Sequence, residues 1–330
     1  MILIETRENE GEHRGRGAIA LFGVGLIGRS ILSAIGTGAH KTRELPFSWN
    51  GEHDQTQELD VIQKNIFSAY DEDVTQPISR FDIVWAAGHA GFDSLENWVI
   101  PEVRAFEKVL SFSLQLQRRA PNARHSFHLI SSAGGLFEGQ KHVDGTNVPR
   151  PLRPYGHAKL QQERLLSRLP GQTRKIIYRL TSVYGFSGTG TRFGLVNTII
   201  QNSVRRQSSS IFGNLQTIRD YVLVSDIGQF VAGRLRDLDL NSHIFSLASG
   251  KPTTIFEMLK RIEKIVGRKL FYTLDNVKTN VADMSFSPAI LPQFWQPTDL
   301  ETGLRKTVRS LMSSSLALAP IDQSQFSFRN

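Results

Sequence analysis

The feature that most constrains this chain is a run near its start, Ala18-Ile-Ala-Leu-Phe-Gly23-Val-Gly25-Leu-Ile-Gly28-Arg29-Ser-Ile-Leu32. It reads as a short apolar strand, a G-x-G-x-x-G turn and a helix. Each glycine has its own task. Gly23 permits the tight turn, Gly25 lets backbone approach a pyrophosphate, and Gly28 lets the helix pack closely on the strand. Amides at the helix start, around Leu26, Ile27 and Gly28, would face the phosphates, where the helix dipole favours negative charge. A bare glycine pattern is often only a turn. A strand before it, a helix after it and a place in the first βα unit turn it into a dinucleotide-binding reading, with NAD or NADP as the cofactor.

The rest of the chain supports that frame. Strand-like apolar runs recur at residues 18–22, 81–86, 126–130 and 176–180, with helix-length segments such as 101–118 and 156–167 between them. Such alternation specifies an α/β fold, a doubly wound parallel sheet covered on both faces. After about Ser182 the rhythm shortens. Strand candidates at 210–212, 221–224, 243–247 and 269–273 alternate with helix candidates at 195–205, 227–238 and 254–266, which predicts a second, smaller α/β lobe. The expected division is a loose polar extension over 1–15, a nucleotide-binding domain over 16–182, a substrate lobe over 183–311 with some segments free to rejoin the sheet, and a Ser-rich tail over 312–330.

Composition bounds the function classes. The 330 residues are 40% hydrophobic and 21% charged, enough for a full core, and the absence of cysteine excludes disulfides, thiolate zinc sites and cysteine nucleophiles. Met1-Ile-Leu-Ile is followed at once by charged residues, too short a run for a signal sequence. The longest later apolar stretch, 18–28, is about half a membrane span. These features predict a soluble cytoplasmic protein with no membrane partner. The net charge of +8 is concentrated between residues 139 and 179, where nine Lys or Arg face only Asp144 and Glu163. A solvated helix face, an anionic ligand or a nucleic acid could each use such a segment. Interleaved aromatic residues and zinc-finger spacing are both missing, so nucleic acid is the minor reading. No metal site is expected. His125 and His128 would point to opposite faces of one strand. His89 and the acidic cluster Asp71-Glu72-Asp73 read as solvated surface.

Pro154-Tyr155-Gly-His-Ala-Lys159-Leu160 carries the second chemical signal. Tyr155 and Lys159 are i and i+4, one above the other on a helix face. A phenol is a poor base at neutrality, but an adjacent ammonium and a positively charged nicotinamide would favour phenolate. That arrangement serves acid–base work on an alcohol that becomes a carbonyl during hydride transfer. The pair alone is a weak signal, since an amphipathic helix can carry it by accident. Upstream, Phe127-His-Leu-Ile-Ser131-Ser132-Ala-Gly-Gly135 reads as a buried strand ending in paired hydroxyls, either a Ser-Gly turn or a donor to a substrate oxygen.

Taken in order, these segments resemble the extended short-chain dehydrogenase/reductase superfamily, in its NAD-dependent nucleotide-sugar epimerase/dehydratase branch. The series also includes Val84-Trp-Ala-Ala-Gly88, Tyr178-Arg-Leu-Thr-Ser-Val-Tyr-Gly185, Ile211-Phe-Gly213 and Arg219-Asp-Tyr-Val-Leu-Val-Ser-Asp226. Ser249-Gly-Lys-Pro-Thr253 and Leu300-Glu-Thr-Gly-Leu304 close it. The resemblance implies a Rossmann-type domain binding NAD(P), a smaller domain closing over a nucleoside diphosphate sugar, and a homodimer built from the Tyr155 helix and its neighbour. It implies Tyr155 as acid/base, Lys159 as its partner on the ribose, and Ser132 as the catalytic hydroxyl, with Ser131 the alternative. Ala86, Ala87 and Gly88 would line the cofactor beside Gly23, Gly25, Leu26, Ile27 and Gly28, while Ser182 and Arg219 would meet the substrate.

The implied reaction is epimerisation through a transient 4-keto sugar. A keto-sugar reductase and a non-catalytic dinucleotide-binding sensor or scaffold are the alternatives. Three departures stand out. The second strand, expected over 44–49, ends in Ser48, Trp49 and Asn50 where an NAD enzyme usually places a ribose-binding carboxylate, and Arg29, Lys41 or Arg43 could instead meet a 2′-phosphate. Ser182 stands where the family often has Asn. Ala133 and Gly134 stand where dehydratases have Asp-Glu, with Glu138 a few residues off, which disfavours dehydration.

Overall fold

The structure is a computed structural model that describes residues 1–317 apart from 11–12, 37–39, 49–51, 72–77, 89, 189–193, 238, 240 and 276–281. Trp49, Asn50, Glu72, Asp73 and His89 therefore lie outside the described residues.

The first half of the chain runs β1 (Ile2–Glu10), β2 (His13–Phe22), α1 (Leu26–Ile35), β3 (Lys41–Glu44), α2 (Glu52–Asp71), β4 (Ile78–Trp85) and α3 (Glu96–Arg119), then β5 (Arg124–Ser132), α4 (Ala133–Leu136), α5 (Pro154–Ser167) and β6 (Thr173–Leu180). The second half runs β7 (Ser182–Tyr184), α6 (Leu195–Arg205), β8 (Ser209–Phe212), β9 (Ile218–Arg219), β10 (Tyr221–Leu223) and α7 (Val224–Arg236), then β11 (His243–Leu247), β12 (Thr253–Thr254), α8 (Ile255–Val266), β13 (Tyr272–Asp275) and α9 (Leu300–Ala317).

Seven strands form one sheet in the order β11-β6-β5-β4-β2-β1-β3. β2, β4, β5 and β6 carry buried apolar residues on both sides because helices cover both sides. Ala18, Ala20 and Phe22 of β2 join Phe81, Ile83 and Trp85 of β4 in one core, together with Phe106 and Val109 of α3. Ile19 and Leu21 join Val84, Ile130 and Tyr178 in the opposite core, under Ile31 of α1 and Ile227 and Val231 of α7. Ser30 of α1 donates to the Val224 carbonyl of α7 at 2.8 Å, closing that layer.

Two expectations are corrected at the sheet edge. Residues 2–10 belong to the stretch expected as a loose extension, yet they form an inner strand. β1 pairs antiparallel with β2, Leu3 opposite Ala20 and Ile4 opposite Ile19, and antiparallel with β3 on its other side. Leu3 and Ile4 are fully buried, one in each core. The second parallel strand lies earlier than expected, at Lys41–Glu44, and β1 separates it from the glycine turn by one strand.

β11 rejoins the large sheet beside β6 in parallel. The lobe around it packs α6, α8 and α9 on one core, with Ile199, Ile211, Met258, Leu259 and Leu304 at its centre. α8 starts with a capping box between Thr254 and Glu257 and stops at Gly267 in the left-handed conformation. α9 continues to Ala317, past residue 312 where the tail was expected to begin.

His125 and His128 do point to opposite faces. The His125 ring stacks on Phe81 and the His128 ring on Tyr178. His128 belongs to a buried polar chain across the sheet. Arg80 pairs with Asp82 at 2.6 Å, Ser126 donates to Asp82, and His128 bridges Ser126 and Tyr178 at 2.8 Å each.

Candidate active site

The crevice forms where β2, β4 and β5 end side by side, at the carboxyl edge of the sheet, the place where open α/β sheets bind ligands. The Ala86 amide donates to the Phe22 carbonyl at 2.8 Å, so the segment after β4 lies against the glycine turn. Gly23 has φ +91°, and a Cβ there would overlap the Ala87 backbone; a Cβ on Gly28 would overlap the Gly23 carbonyl. Gly25 differs, because a Cβ there would have nothing within 4 Å. Gly25 is also the N-cap of α1, and no side chain caps that end. Two glycines thus close the turn, while the third and the helix amides face open space of the kind a pyrophosphate fills. Ser187 donates to the Leu26 carbonyl at 2.6 Å and ties the second lobe to this turn.

α5 begins with Pro154 in its first turn, where a missing amide costs nothing. One position on, the Tyr155 ring lies against Gly135, whose added Cβ would stand 3.1 Å from the ring. Lys159, one turn later, sits 5.8 Å from the Tyr155 ring centroid. It is 5% exposed and donates to Glu102 at 2.9 Å and to Gln162 at 3.1 Å. Burial by itself would drive Lys159 toward the neutral amine. The charges of Glu102, Tyr155 and Glu163 and the Glu102 hydrogen bond together outweigh that and hold its pKa above the ordinary lysine value.

Glu102 also reaches the loop after β4. Its carboxylate lies 3.1–3.2 Å from where a Gly88 Cβ would stand and accepts from the Ala90 amide at 3.4 Å. Contacts therefore run without a gap from Gly23 to Ala87, along the loop to Gly88, through Glu102 to Lys159 and so to Tyr155. These contacts link the glycine turn to the helix that carries Tyr155.

The paired serines differ in their partners. Ser131 donates to Glu163 at 2.6 Å, and Arg179 holds the same carboxylate at 2.7 Å. Ser132 caps α4 by accepting from the Gly135 amide at 3.0 Å, which places its hydroxyl beside the segment that touches Tyr155. Glu138 is held by Arg153 through both oxygens, at 2.8–3.0 Å. Across from α4, the Met284 methyl group lies 3.6 Å from where a Gly134 Cβ would stand, and the Met284 amide donates to the Ile218 carbonyl. Arg219, next in β9, donates to the carbonyls of Ile218 and Ala282. Ser182 pairs in register with Tyr221, two residues beyond Arg219. These two form the second-lobe wall and make no direct contact with Tyr155 or Ser132 among the described residues.

Sequence reasoning passed over two carboxylates. Glu102 lies on the buried stripe of α3 with Val99, Val103 and Phe106, and an acid on an apolar stripe at helical spacing signals a buried charge with a partner. Glu58 of α2 accepts from the Ser48 amide and hydroxyl at 2.5 and 2.6 Å, so a carboxylate does stand just beyond the second strand. Of the basic candidates there, Arg29 is pinned to the Val24 carbonyl at 3.0 Å, and Arg43 pairs with Glu5 at 3.2 Å. The basic segment is partly compensated from outside it, since Lys141, Lys159 and Arg174 pair with Asp283, Glu102 and Asp237, while Arg153 pairs with the adjoining Glu138 and Arg179 with Glu163 of the segment itself. Among the described residues no metal-ligating cluster occurs, and no helix is long and apolar enough to cross a membrane.

Comparison with known proteins bears on family and fold. The model of the NAD dependent epimerase/dehydratase family matches residues 23–248. UDP-glucose 4-epimerase 4 of Oryza sativa subsp. japonica is 27% identical over 184 residues, 49% of this chain and 50% of that protein. The dTDP-4-dehydro-6-deoxyglucose reductase of Escherichia coli is 24% identical over 197 residues, 56% of this chain and 60% of that protein. The chain spans about half the length of the curated relatives it matches. Among solved structures, MoeE5 in complex with UDP-glucuronic acid and NAD superposes with a TM-score of 0.71 at 19% identity, covering 90% of this chain and 99% of that one. That likeness establishes a shared fold.

Proposed function

This chain belongs to the NAD dependent epimerase/dehydratase family, and from that premise we propose that it is an NAD-dependent nucleotide-sugar 4-epimerase. The observation that carries the reading is the series of contacts that links the Gly23 turn to Lys159 and Tyr155, and it supports an acid–base pair working beside a phosphate cradle. Residues of the glycine turn would hold the pyrophosphate, residues 86–88 would line the cofactor, and Lys159 would meet the ribose. Bound NAD would supply a hydride acceptor that gives the hydride back within the same turnover. Tyr155 takes the proton of the sugar hydroxyl and returns it after the sugar has turned over. Ser132 donates to the same substrate oxygen, keeping it within reach of the phenol. Arg219, with nitrogens left over from its two carbonyl contacts, meets the diphosphate, which suits its fork of donors. Ser182 borders the sugar.

NAD is the cofactor named with MoeE5. A second copy of this chain is the expected partner. α3 and α5 flank a groove of about 570 Å³ lined by Val99, Ile100 and Ala158 together with Arg104, Glu107 and Gln161, and Trp98, next to Val99 in the chain, is 62% exposed. Trp98→Glu should shift the sedimenting species from dimer to monomer.

The likeness to a keto-sugar reductase favours one competing reading, in which the same residues consume reduced cofactor every turnover. One experiment separates the two. Small molecules released from the purified protein are identified by mass spectrometry, and the protein is then given a panel of UDP- and dTDP-sugars. Released NAD and 4-epimers formed without net NADH support the epimerase; net NADH consumption supports the reductase; a protein that binds neither form of the cofactor overturns both.

A further inference from the structure

Tyr155 and Lys159 do not explain why a carboxylate is buried beneath them. Glu102 is 7% exposed in the apolar stripe of α3. An unpaired charge there would cost several kcal/mol, and even a paired one brings little net stability. Each of its oxygens is nevertheless committed. Oε1 accepts from the Lys159 ammonium at 2.9 Å and from the Gln162 amide at 3.3 Å, and Oε2 accepts from the Ala90 amide at 3.4 Å. The loop can come this close only because residue 88 is glycine.

The groups that face Lys159 are few. Glu102 comes from α3, while Tyr155, Gln162 and Glu163 come from α5 itself. Glu163 is already held by Ser131 and by Arg179 of β6. Glu102 is therefore the one carboxylate in direct contact with the ammonium among the described residues.

We propose that Glu102 is a positioning residue of this site, which keeps Lys159 charged and clamps it to Gly88 and Ala90 so that the ammonium and these two residues meet the cofactor as one preformed surface. The cofactor part of this inference rests on the functional reading above; the charge-holding part does not.

The decisive variant is Glu102→Gln, which keeps size, removes the charge and leaves one acceptor where the carboxylate has two. Its stability to denaturant is compared with wild type from neutral pH to about pH 10, without cofactor. In wild type the folded pKa of Lys159 is raised, so its contribution is complete below the unfolded value of 10.5 and is lost only as pH rises through the folded value. In Glu102→Gln, burial is opposed only by Tyr155 and Glu163, and the folded pKa is expected to fall below the unfolded one. The deficit should then be largest near neutrality and shrink by up to about tenfold in the folding constant per pH unit as pH rises. A deficit that does not change with pH overturns the proposal.

Should Glu102→Gln fail to fold, the double variant Glu102→Gln/Lys159→Gln decides. A folded double variant supports the charge-holding role, and one that still fails to fold with no charge left to hold overturns it. NAD affinity at neutral pH is the second readout. Loss of about tenfold in Glu102→Gln, with partial rescue in Glu102→Asp, is expected for each pH unit by which the ammonium is lost. Unchanged affinity in Glu102→Gln overturns the clamp. A wild-type protein that does not bind NAD overturns the functional reading instead, while the denaturant series still decides the charge-holding role.

Discussion

Gly156 of α5 and Gly135 of α4 meet with no space between their backbones: a Cβ on Gly156 would overlap the Gly135 carbonyl oxygen and press on Pro151. That contact sets the depth at which α5 sits, and so the position of Tyr155, its neighbour in the chain. Gly156→Ala must push the helices apart. Overpacking of this kind costs about 1–3 kcal/mol, and urea unfolding should show a loss in that range. Turnover should fall further than stability explains, because misplacing the acid–base group by about 1 Å costs on the order of a hundredfold. Unchanged stability and turnover would remove the contact from the account.

The glycine turn makes a paired prediction. Gly28→Ala runs into the Gly23 carbonyl and should destabilise the protein. Gly25→Asp enters open space and should leave the unfolding midpoint in place. Its carboxylate would meet the pyrophosphate, so NAD binding by calorimetry should be lost. Opposite ranking of the two variants, with Gly25→Asp unstable yet still binding NAD, would mean that the cradle is elsewhere.

Acid sensitivity follows from the chain through Asp82, Ser126, His128 and Tyr178. Burial depresses the His128 pKa below its ordinary 6.5, more than Asp82 raises it. The unfolded chain then takes up a proton first. Stability is complete above pH 6.5 and falls as pH drops from there toward the folded value, by up to about 1.4 kcal/mol per pH unit. Asp82 adds a later loss. Burial pushes its carboxyl up, but Arg80 and its hydrogen bonds hold it below the ordinary 3.8, and the stability this gives disappears below that pH. His128→Asn should be less stable at neutral pH and should show a flatter slope between pH 6.5 and the acid limb. Parallel curves for the two proteins would exclude His128 as the source.

The legible parts of this molecule are those whose cause is local. The turn at Gly23, Gly25 and Gly28 needs particular backbone freedom at fixed spacing, and the strands ending at Phe22, Trp85 and Ser132 are apolar on both faces wherever they fall. β1 was opaque for the opposite reason. Only Ile2, Leu3 and Ile4 carry an apolar signal, and its place between β2 and β3 is a matter of pairing between distant segments. The pair Tyr155 and Lys159 is legible at i and i+4. Glu102 is not, since its meaning depends on α3 and α5 crossing and on Gly88 passing over it. Ser131 and Ser132 could not be separated by sequence; Glu163, a turn beyond Lys159, engages the first and leaves the second at the start of α4.

The most direct measurement is the chemistry of Tyr155→Phe, a change that removes one hydroxyl from a half-buried ring. Purified wild type and variant are compared for NAD affinity and for 4-epimer formation from the UDP- or dTDP-sugar that the wild type accepts. The account predicts unchanged NAD affinity and a loss of about a hundredfold to ten-thousandfold in turnover, the range for a general acid–base group. Epimerisation at the wild-type rate by Tyr155→Phe would contradict it.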